Sequence, residues 1–205
     1  MNYDEADKAI KAMNRDNMKT FSRLKLAKWD ELSVIREVTA AYNTVLRRVK
    51  KWFLDVALLA YMSAMEEAGR KGTERQARRA INDDWILAML EETDPVLLYK
   101  FIPELERKKQ RLIEALPVAL DRNKEIDGAL RAVSKQIGWS IINVVDAATV
   151  EAYEDAKVDY VQWVSEHDAR VCDVCEDMDG NVYVVSKVPP KPHPACRCRI
   201  RPYKP

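Results

Sequence analysis

Five candidate metal ligands are concentrated near the end of this 205-residue chain. All four cysteines and one of the two histidines lie in the last 34 residues, in the pattern C-x2-C, 17 residues, H-x2-C-x-C. They are Cys172, Cys175, His193, Cys196 and Cys198. A C-x2-C turn presents two thiolates to one cation, and a second pair from a distant segment completes a tetrahedron. The spacing therefore predicts one centre that ties the C-terminal segment into a unit.

Four of these five residues suffice for a closed, structural zinc site. We predict Cys172, Cys175, Cys196 and Cys198 as the zinc ligands, and His193, held extended between two prolines, as the fifth candidate. The acidic, polar N-terminus resembles no export signal, so we expect synthesis in a reducing cytoplasm, where cysteines remain reduced. Disulfides formed on exposure to an oxidant and a cluster of free thiols are the alternatives.

The chain as a whole has the composition of long helices, with only five glycines and 33% charged residues. Apolar side chains recur in steps of four and three at Val34, Val38, Tyr42, Val45, Val49, Trp52, Val56 and Leu59. This stripe predicts one helix from Trp29 to Ala68, ended by Gly69 and Gly72. A helix of that length needs partners, and we expect an intramolecular, mostly antiparallel bundle; an arm lying on a neighbouring protein is the alternative.

Further helices are predicted over residues 73–92 with Thr73 as the N-cap, from Asp94-Pro95 onward with breaks at Pro103 and Pro117, and over 118–156 as one or two helices, with Gly128 and Gly138 as possible breaks. Strands are predicted at 160–164, 182–185 and 196–201, with a turn at 179–181. The predicted fold class is α+β: a mostly helical body over residues 1–158, and a small antiparallel β module tied by the Cys/His cluster over residues 159–205.

Charge is distributed unevenly although the net charge is only +1. Between residues 165 and 180 six acids face one arginine, whereas from residue 187 to the end there are six bases and no acid. We expect the acidic loop and the basic tail to pair, with Arg197 and Arg199 beside the thiolates. The alternative is contact with phosphates of packaged DNA by Arg199, Arg201 and Lys204.

Catalysis and membrane insertion are not expected. No apolar run is long enough to span a bilayer. His167 and Asp168 are adjacent, but no nucleophile motif accompanies them, and a closed thiolate site leaves no open position for a substrate. We therefore predict no enzymatic activity, and structural roles for Asp168 in a turn and for Arg170 in an ion pair.

Together these residues resemble the C-terminal signature of the phage Mu F-like head morphogenesis family. The resemblance rests on Tyr160-x2-Trp163, Asp168-x-Arg170-x-Cys172-x2-Cys175, Gly180 and Pro192-His193-Pro194-x-Cys196-Arg197-Cys198. It implies structural roles for Trp163, Asp168, Arg170, Gly180 and Arg197.

Family members are minor capsid proteins of tailed phages and prophages. The resemblance implies a low-copy protein that associates with the portal, capsid and scaffold proteins during assembly in the host cytoplasm and is then found in the virion. It further implies a role in head assembly and in retention or delivery of double-stranded DNA. It implies neither a membrane partner nor a small-molecule substrate.

Overall fold

The computed structural model of the protein describes residues 3–27, 30–94, 98–168 and 171–205. The predicted α+β class is confirmed. The helices are α1 Tyr3–Leu24, α2 Glu31–Glu67, α3 Glu74–Ala80, α4 Asp83–Glu91, α5 Phe101–Ala115, α6 Arg122–Asp155 and α7 Asp173–Met178. The strands are β1 Tyr160–Val164, β2 Val182–Val184 and β3 Arg199–Tyr203, and a 3-10 turn spans Val185–Lys187. No helix within the described ranges is long and apolar enough to cross a bilayer.

The long helix predicted from the apolar stripe is α2. Asp30 caps its start by accepting a hydrogen bond from the backbone N–H of Ser33 at 2.9 Å. The helix ends before Gly69, whose φ of 71° is one that glycine adopts without steric penalty. Six of the eight stripe residues are buried in the chain's own core, as expected for an intramolecular bundle, whereas Trp52 is partly buried and Leu59 is 58% exposed. Trp29, the predicted first residue, lies outside the described residues.

Helices α2 and α6 form the centre of the body and run in the same direction. Near their starts, Tyr42 of α2 and Gly128 of α6 line the same cavity. Near their ends, the Tyr61 hydroxyl of α2 donates a hydrogen bond to the Asp155 carboxylate of α6. The two longest helices are therefore parallel neighbours, joined by the returning segment between them.

Helix α1 packs against both central helices and runs opposite to them. Its C-terminal side is fixed by an ion pair of 2.7 Å between Lys25, just past the helix, and Asp127 near the start of α6. Its N-terminal side lies over the middle of α6, where a Cβ placed on Gly138 would be 4.0 Å from Ile10. The pairing of α1 with α6 is thus antiparallel, as predicted.

Helix α5 is also antiparallel to both central helices. Its first residue, Phe101, packs edge-on against Phe53 in the second half of α2, with ring centroids 5.7 Å apart. Its later residue Leu112 lines a cavity with Tyr42, in the first half of α2. The expectation of a mostly antiparallel body is therefore confirmed for α1 and α5, whereas the central α2–α6 pair is parallel.

The helix predicted over residues 73–92 is in fact two helices, α3 and α4. Ile81 is extended between them, and the Asn82 side chain accepts a hydrogen bond from the N–H of Trp85 at 3.0 Å. An Asn side chain competes with the helical backbone in this way and starts a new helix. Thr73 caps α3, as predicted, with a bond of 3.2 Å to the N–H of Gln76.

The predicted break at Pro117 is confirmed, because α5 ends at Ala115, but the break at Pro103 and the possible breaks at Gly128 and Gly138 are wrong. Gly128 and Gly138 both lie inside the continuous helix α6, because neither has the positive φ of a helix end. Pro103 lies in the first turn of α5, where its missing N–H leaves no hydrogen bond unmade. Pro95 lies outside the described residues, and the next described helix after it begins at Phe101.

The small sheet is antiparallel, with strand order β2-β1-β3. Its inner face contributes Val161, Trp163 and Ile200 to one hydrophobic core that also includes the helices. The third strand was predicted over 196–201 and begins instead at Arg199. The division of the chain at residues 158 and 159 stays a prediction.

The parallel helices α2 and α6 end in the same cap motif. After α2, the N–H of Gly69 binds the Glu66 carbonyl at 2.9 Å, and after α6 the N–H of Lys157 binds the Glu154 carbonyl at 3.0 Å. Lys157 has φ of 61°, the left-handed conformation that costs an L-residue about 1 kcal/mol.

Replacing Lys157 with glycine should therefore stabilise the protein. We expect the unfolding free energy to rise by about 0.5–1 kcal/mol, seen as a melting temperature about 1–4 °C higher. Lys157→Ala is the control, because it removes the same side chain without relieving the left-handed backbone. A glycine variant no more stable than the alanine variant would contradict a strained cap.

Candidate metal centre

The five predicted ligands meet at Cys175. The ligand atoms of Cys172, Cys175 and His193 lie within 4.8 Å of one another, and so do the sulfurs of Cys175, Cys196 and Cys198. The Cys175 sulfur is 3.1 Å from His193 Nε2 and 3.6 Å from the Cys196 sulfur. The two remote thiol pairs therefore converge, and Cys175 belongs to both groups.

Local structure explains how the cysteines reach one another. The C-x2-C pair was expected on a turn, but it lies at the start of α7: Cys172 is the N-terminal cap and Cys175 is in the first helical turn. Residues three apart on a helix are neighbours. On the other side, Ala195 has φ of 60° and bends the chain immediately before Cys196. Cys198 then precedes β3, which fixes this pair to the sheet.

The spacing of the sulfurs is that of a metal centre. Zinc–sulfur bonds of about 2.3 Å in a tetrahedron place the sulfurs about 3.8 Å apart. The 3.6 Å between Cys175 and Cys196 is close to this value. All four cysteines are free thiols in this structure. The arrangement suits one soft cation held by Cys175, Cys196 and Cys198, with Cys172 or His193 beside Cys175 as the fourth ligand.

The cluster is buried, and this controls its protonation. Burial raises the pKa of the Cys175 thiol, and the neighbouring thiols of Cys198, Cys172 and Cys196 raise it further. Burial also raises the pKa of Cys196, whereas the backbone N–H of Cys175 lowers the pKa of Cys172. A cation at the centre would reverse the shifts toward protonation, because a coordinated thiol gives up its proton. Metal binding at this cluster is therefore linked to proton release.

A buried lysine connects the cluster to the helical body. The side chain of Lys191 is only 5% exposed, and its Nζ lies 3.4 Å from an Asp146 oxygen on α6. The same Nζ donates to the Cys198 carbonyl and lies 4.8 Å from the centroid of the Trp163 ring. Burial raises the pKa of Asp146 to about 6, and Lys191 opposes this shift. Lys191 thus joins a helix, the sheet and a predicted ligand.

Sequence reasoning missed this connection. Lys191 was counted only as one base of the basic tail, and Asp146 was not considered. The available signal was that Asp146 is an acid directly after the buried pair Val144 and Val145 of α6. A carboxylate next to such a run needs a partner.

Four of the five predicted structural residues lie in the described part of the C-terminal module. Trp163 is 1% exposed, and its Nε1 has no acceptor among the described residues. Arg197 donates to an Asp168 oxygen at 2.5 Å, which is the expected pairing of the basic tail with the acidic loop. Gly180, with φ of 76°, forms the predicted turn and donates its N–H to the Trp163 carbonyl at 2.9 Å. Arg170 lies outside the described residues.

The three candidate DNA contacts lie on or just after β3, and Arg199 directly follows the predicted ligand Cys198. Arg199 and Arg201 are exposed on the outer face of β3, and Lys204 is exposed beyond the strand. Arg201 is held against the sheet by two hydrogen bonds to Gln162, at 2.7 and 3.1 Å.

These features define the class of the protein: a helical body closed by a small β module rich in cysteine and carrying one histidine. Residues 118–201 match the model of a family described as Phage Mu protein F like protein. The resemblance seen in the sequence is thereby confirmed, and the chain carries a Phage Mu protein F-like region. The match spans the whole of α6, β1, β2 and the Cys/His cluster, and it ends at Arg201 within β3. No curated protein and no solved structure matches the chain.

Proposed function

We propose that this chain is a minor head protein of a tailed phage or prophage that docks at the portal vertex during procapsid assembly. The observation that carries the proposal is that all five clustered ligands fall inside the family-matched residues 118–201. The family is one of phage head proteins. The helical body is the docking element, and the β module is a rigid end-piece located in the capsid interior or at the portal vertex.

In this proposal the cluster holds zinc in a structural role. Cys175, Cys196 and Cys198 are all at most 3% exposed, so a cation among them is shielded from water. Cys172 and His193 compete for the fourth position, since each is close to Cys175. A closed site of this kind contributes folding free energy and performs no chemistry. The protein is therefore proposed to act without enzymatic activity.

Assembly with the portal is testable by co-expression. The chain is produced with the portal, scaffold and major capsid proteins of the same genome, and procapsids are separated on a density gradient. We expect the chain to sediment with procapsids at a few copies per particle and to be lost from particles assembled without portal. Equal incorporation with and without portal, or none at all, would contradict docking at the portal vertex.

A second candidate function is nonspecific binding of duplex DNA. The specific observation is the exposed basic face of β3, in a tail that has six bases and no acid after residue 186. Phosphate contacts need only exposed Lys and Arg side chains and read no sequence. This activity would serve genome retention or delivery in the same head protein.

The DNA hypothesis predicts a specific salt dependence. Arg199, Arg201 and Lys204 changed together to glutamine should lower the slope of log K against log salt by about 2.7, or about 0.9 per lost contact. The control changes Lys8, Lys11 and Lys19 of α1 to glutamine. These lysines are exposed, so the control removes the same amount of charge at another place. Fluorescence anisotropy with a short duplex measures the salt dependence of DNA binding for both triple variants. An equal effect of the two triple variants would show that bulk charge, rather than this face, binds DNA.

A further inference from the structure

The outer face of the small sheet carries exposed tyrosines on two adjacent strands. Side chains alternate between the two faces of a strand, so Tyr160, Gln162 and Val164 of β1 share the face opposite the buried Trp163. Tyr160 is 41% exposed, and Tyr203 of β3 is 37% exposed. The strand register places these two tyrosines directly opposite each other. Two aromatic side chains therefore lie side by side on a surface that faces solvent.

A valine on the third strand continues this row of side chains. Val184 of β2 is paired with Tyr160 on the side away from Tyr203, and it is 42% exposed. Neither tyrosine ring stacks on another aromatic ring among the described residues. Contiguous exposed apolar side chains often mark a binding surface. The row Val184, Tyr160 and Tyr203 thus offers ring faces and apolar surface to a ligand.

An open cavity adjoins the two tyrosines. It has a volume of about 410 Å³, and both Tyr160 and Tyr203 are part of its lining. The opposite wall is formed by residues just past the C-terminal ends of α2 and α6, including Arg70 and Lys157. Cavities of about 300–1,000 Å³ are typical of small-ligand sites. The exposed row therefore continues into a recess that can hold one end of a ligand lying on the sheet.

Positive charge surrounds the tyrosines. The cavity lining includes three exposed bases, Arg70, Lys157 and Lys204. Asp159 is the one acidic side chain in the described lining. On the sheet face itself β3 adds the exposed Arg201, and the outward positions of the three strands, all of them described, hold no acid. The surface is therefore complementary to a polyanion that also carries apolar, flat groups.

We propose that this face binds single-stranded DNA by stacking unpaired bases on Tyr160 and Tyr203. The phosphates of the same strand face Arg201 and Lys204. Sheets with aromatic side chains on neighbouring strands bind single strands in this way, because every base has a face that can stack. Paired bases already stack on one another within a duplex, so the tyrosines select unpaired ones. The inference rests on the second candidate function, DNA binding, and names the form of DNA that this module prefers.

Fluorescence anisotropy with a labelled oligothymidylate of about 12 nucleotides tests the site in the full-length protein. We expect Tyr160→Leu and Tyr203→Leu each to weaken binding about fivefold or more, which is the loss of one stacked base. Both side chains are exposed, so both variants should fold. Tyr160→Phe and Tyr203→Phe are the matched controls. Each retains the aromatic ring and should bind the oligothymidylate as the wild-type protein does.

A duplex of the same length separates this inference from DNA binding in general. The leucine variants should bind the duplex as the wild type does, whereas Arg199, Arg201 and Lys204 changed together to glutamine should weaken the binding of both DNAs. Leucine variants that bind the oligothymidylate like the wild type, or that lose duplex binding equally, would overturn the inference while DNA binding stands. The face would then be left to a protein partner. No binding of either DNA by the wild-type protein would overturn both DNA proposals.

Discussion

Changing Cys175 to serine is expected to abolish metal binding and to unfold the C-terminal module. Cys175 is the residue shared by both ligand groups, so no four of the remaining candidates surround one point as closely. We expect about one zinc ion per chain in protein purified under reducing conditions and none in the variant. The unfolding free energy should fall by at least about 3 kcal/mol, less than the 10–16 kcal/mol of isolated zinc-finger peptides, because the apolar core contacts of the sheet remain.

Two measurements check this expectation. Elemental analysis gives the metal content, and amide hydrogen exchange shows whether protection is lost in β1, β2 and β3 while α2 and α6 remain protected. Ser186→Ala, an exposed change in the same module, is the control and should leave both unchanged. A Cys175→Ser protein with full zinc content and unchanged protection would contradict a metal centre at this position.

The same experiment resolves the fourth ligand. Cys172→Ser and His193→Ala remove the two groups that compete beside Cys175. The variant that removes the coordinating residue should lose zinc nearly as completely as Cys175→Ser. The other variant should bind zinc with only slightly lower affinity. Removal of the metal from the wild-type protein by a chelator should reproduce the loss of protection, and added zinc should restore it.

Changing Lys191 to methionine is expected to be the most destabilising substitution outside the cysteines. It leaves the Asp146 carboxylate without its cation and the Cys198 carbonyl without its donor. Breaking a fully buried ion pair from one side costs about 3–5 kcal/mol, because an uncompensated charge remains. The Asp146 side chain is 27% exposed, so we expect the low end of this range, about 3 kcal/mol. Lys187→Met, an exposed lysine of the same tail, is the control and should change stability by less than about 0.5 kcal/mol.

A double variant and a pH series separate the charge from the packing. Adding Asp146→Asn to Lys191→Met removes the stranded charge, so the double variant should recover part of the lost stability. Burial already raises the pKa of Asp146 to about 6 from 3.8. The folded form therefore binds a proton more tightly than the unfolded chain, and stability falls as the pH rises through this range. The Lys191→Met defect should accordingly be larger at pH 8 than at pH 5.

Features that depend on local spacing were predictable from the sequence. The stripe from Val34 to Leu59 predicted α2 to within a few residues, and the β-branched segment at 160–164 predicted β1. The spacing of the cysteines predicted that two remote pairs meet, because thiol pairs at such intervals serve one cation.

Features set by tertiary contacts were not predictable in the same way. Glycine in a helix is a weak signal, and packing along the whole length of α6 outweighs the intrinsic preference of Gly128 and Gly138. The parallel alignment of α2 and α6 depends on how the segment between them returns, which no periodicity encodes. The contact between Lys191 and Asp146 joins residues from different elements, and it becomes visible only when the tail packs on α6.

Because α6 is uninterrupted, a displacement at one of its ends is transmitted to the other. Its 34 residues span about 51 Å at 1.5 Å per residue, and its C-terminal half carries the anchor for Lys191. If α6 tilted by about 5° as a unit about its N-terminal end, the other end would be displaced by about 4 Å. Strain applied to the bundle by a docked neighbour would thus be transmitted to the thiol cluster, with no hinge in between to absorb it.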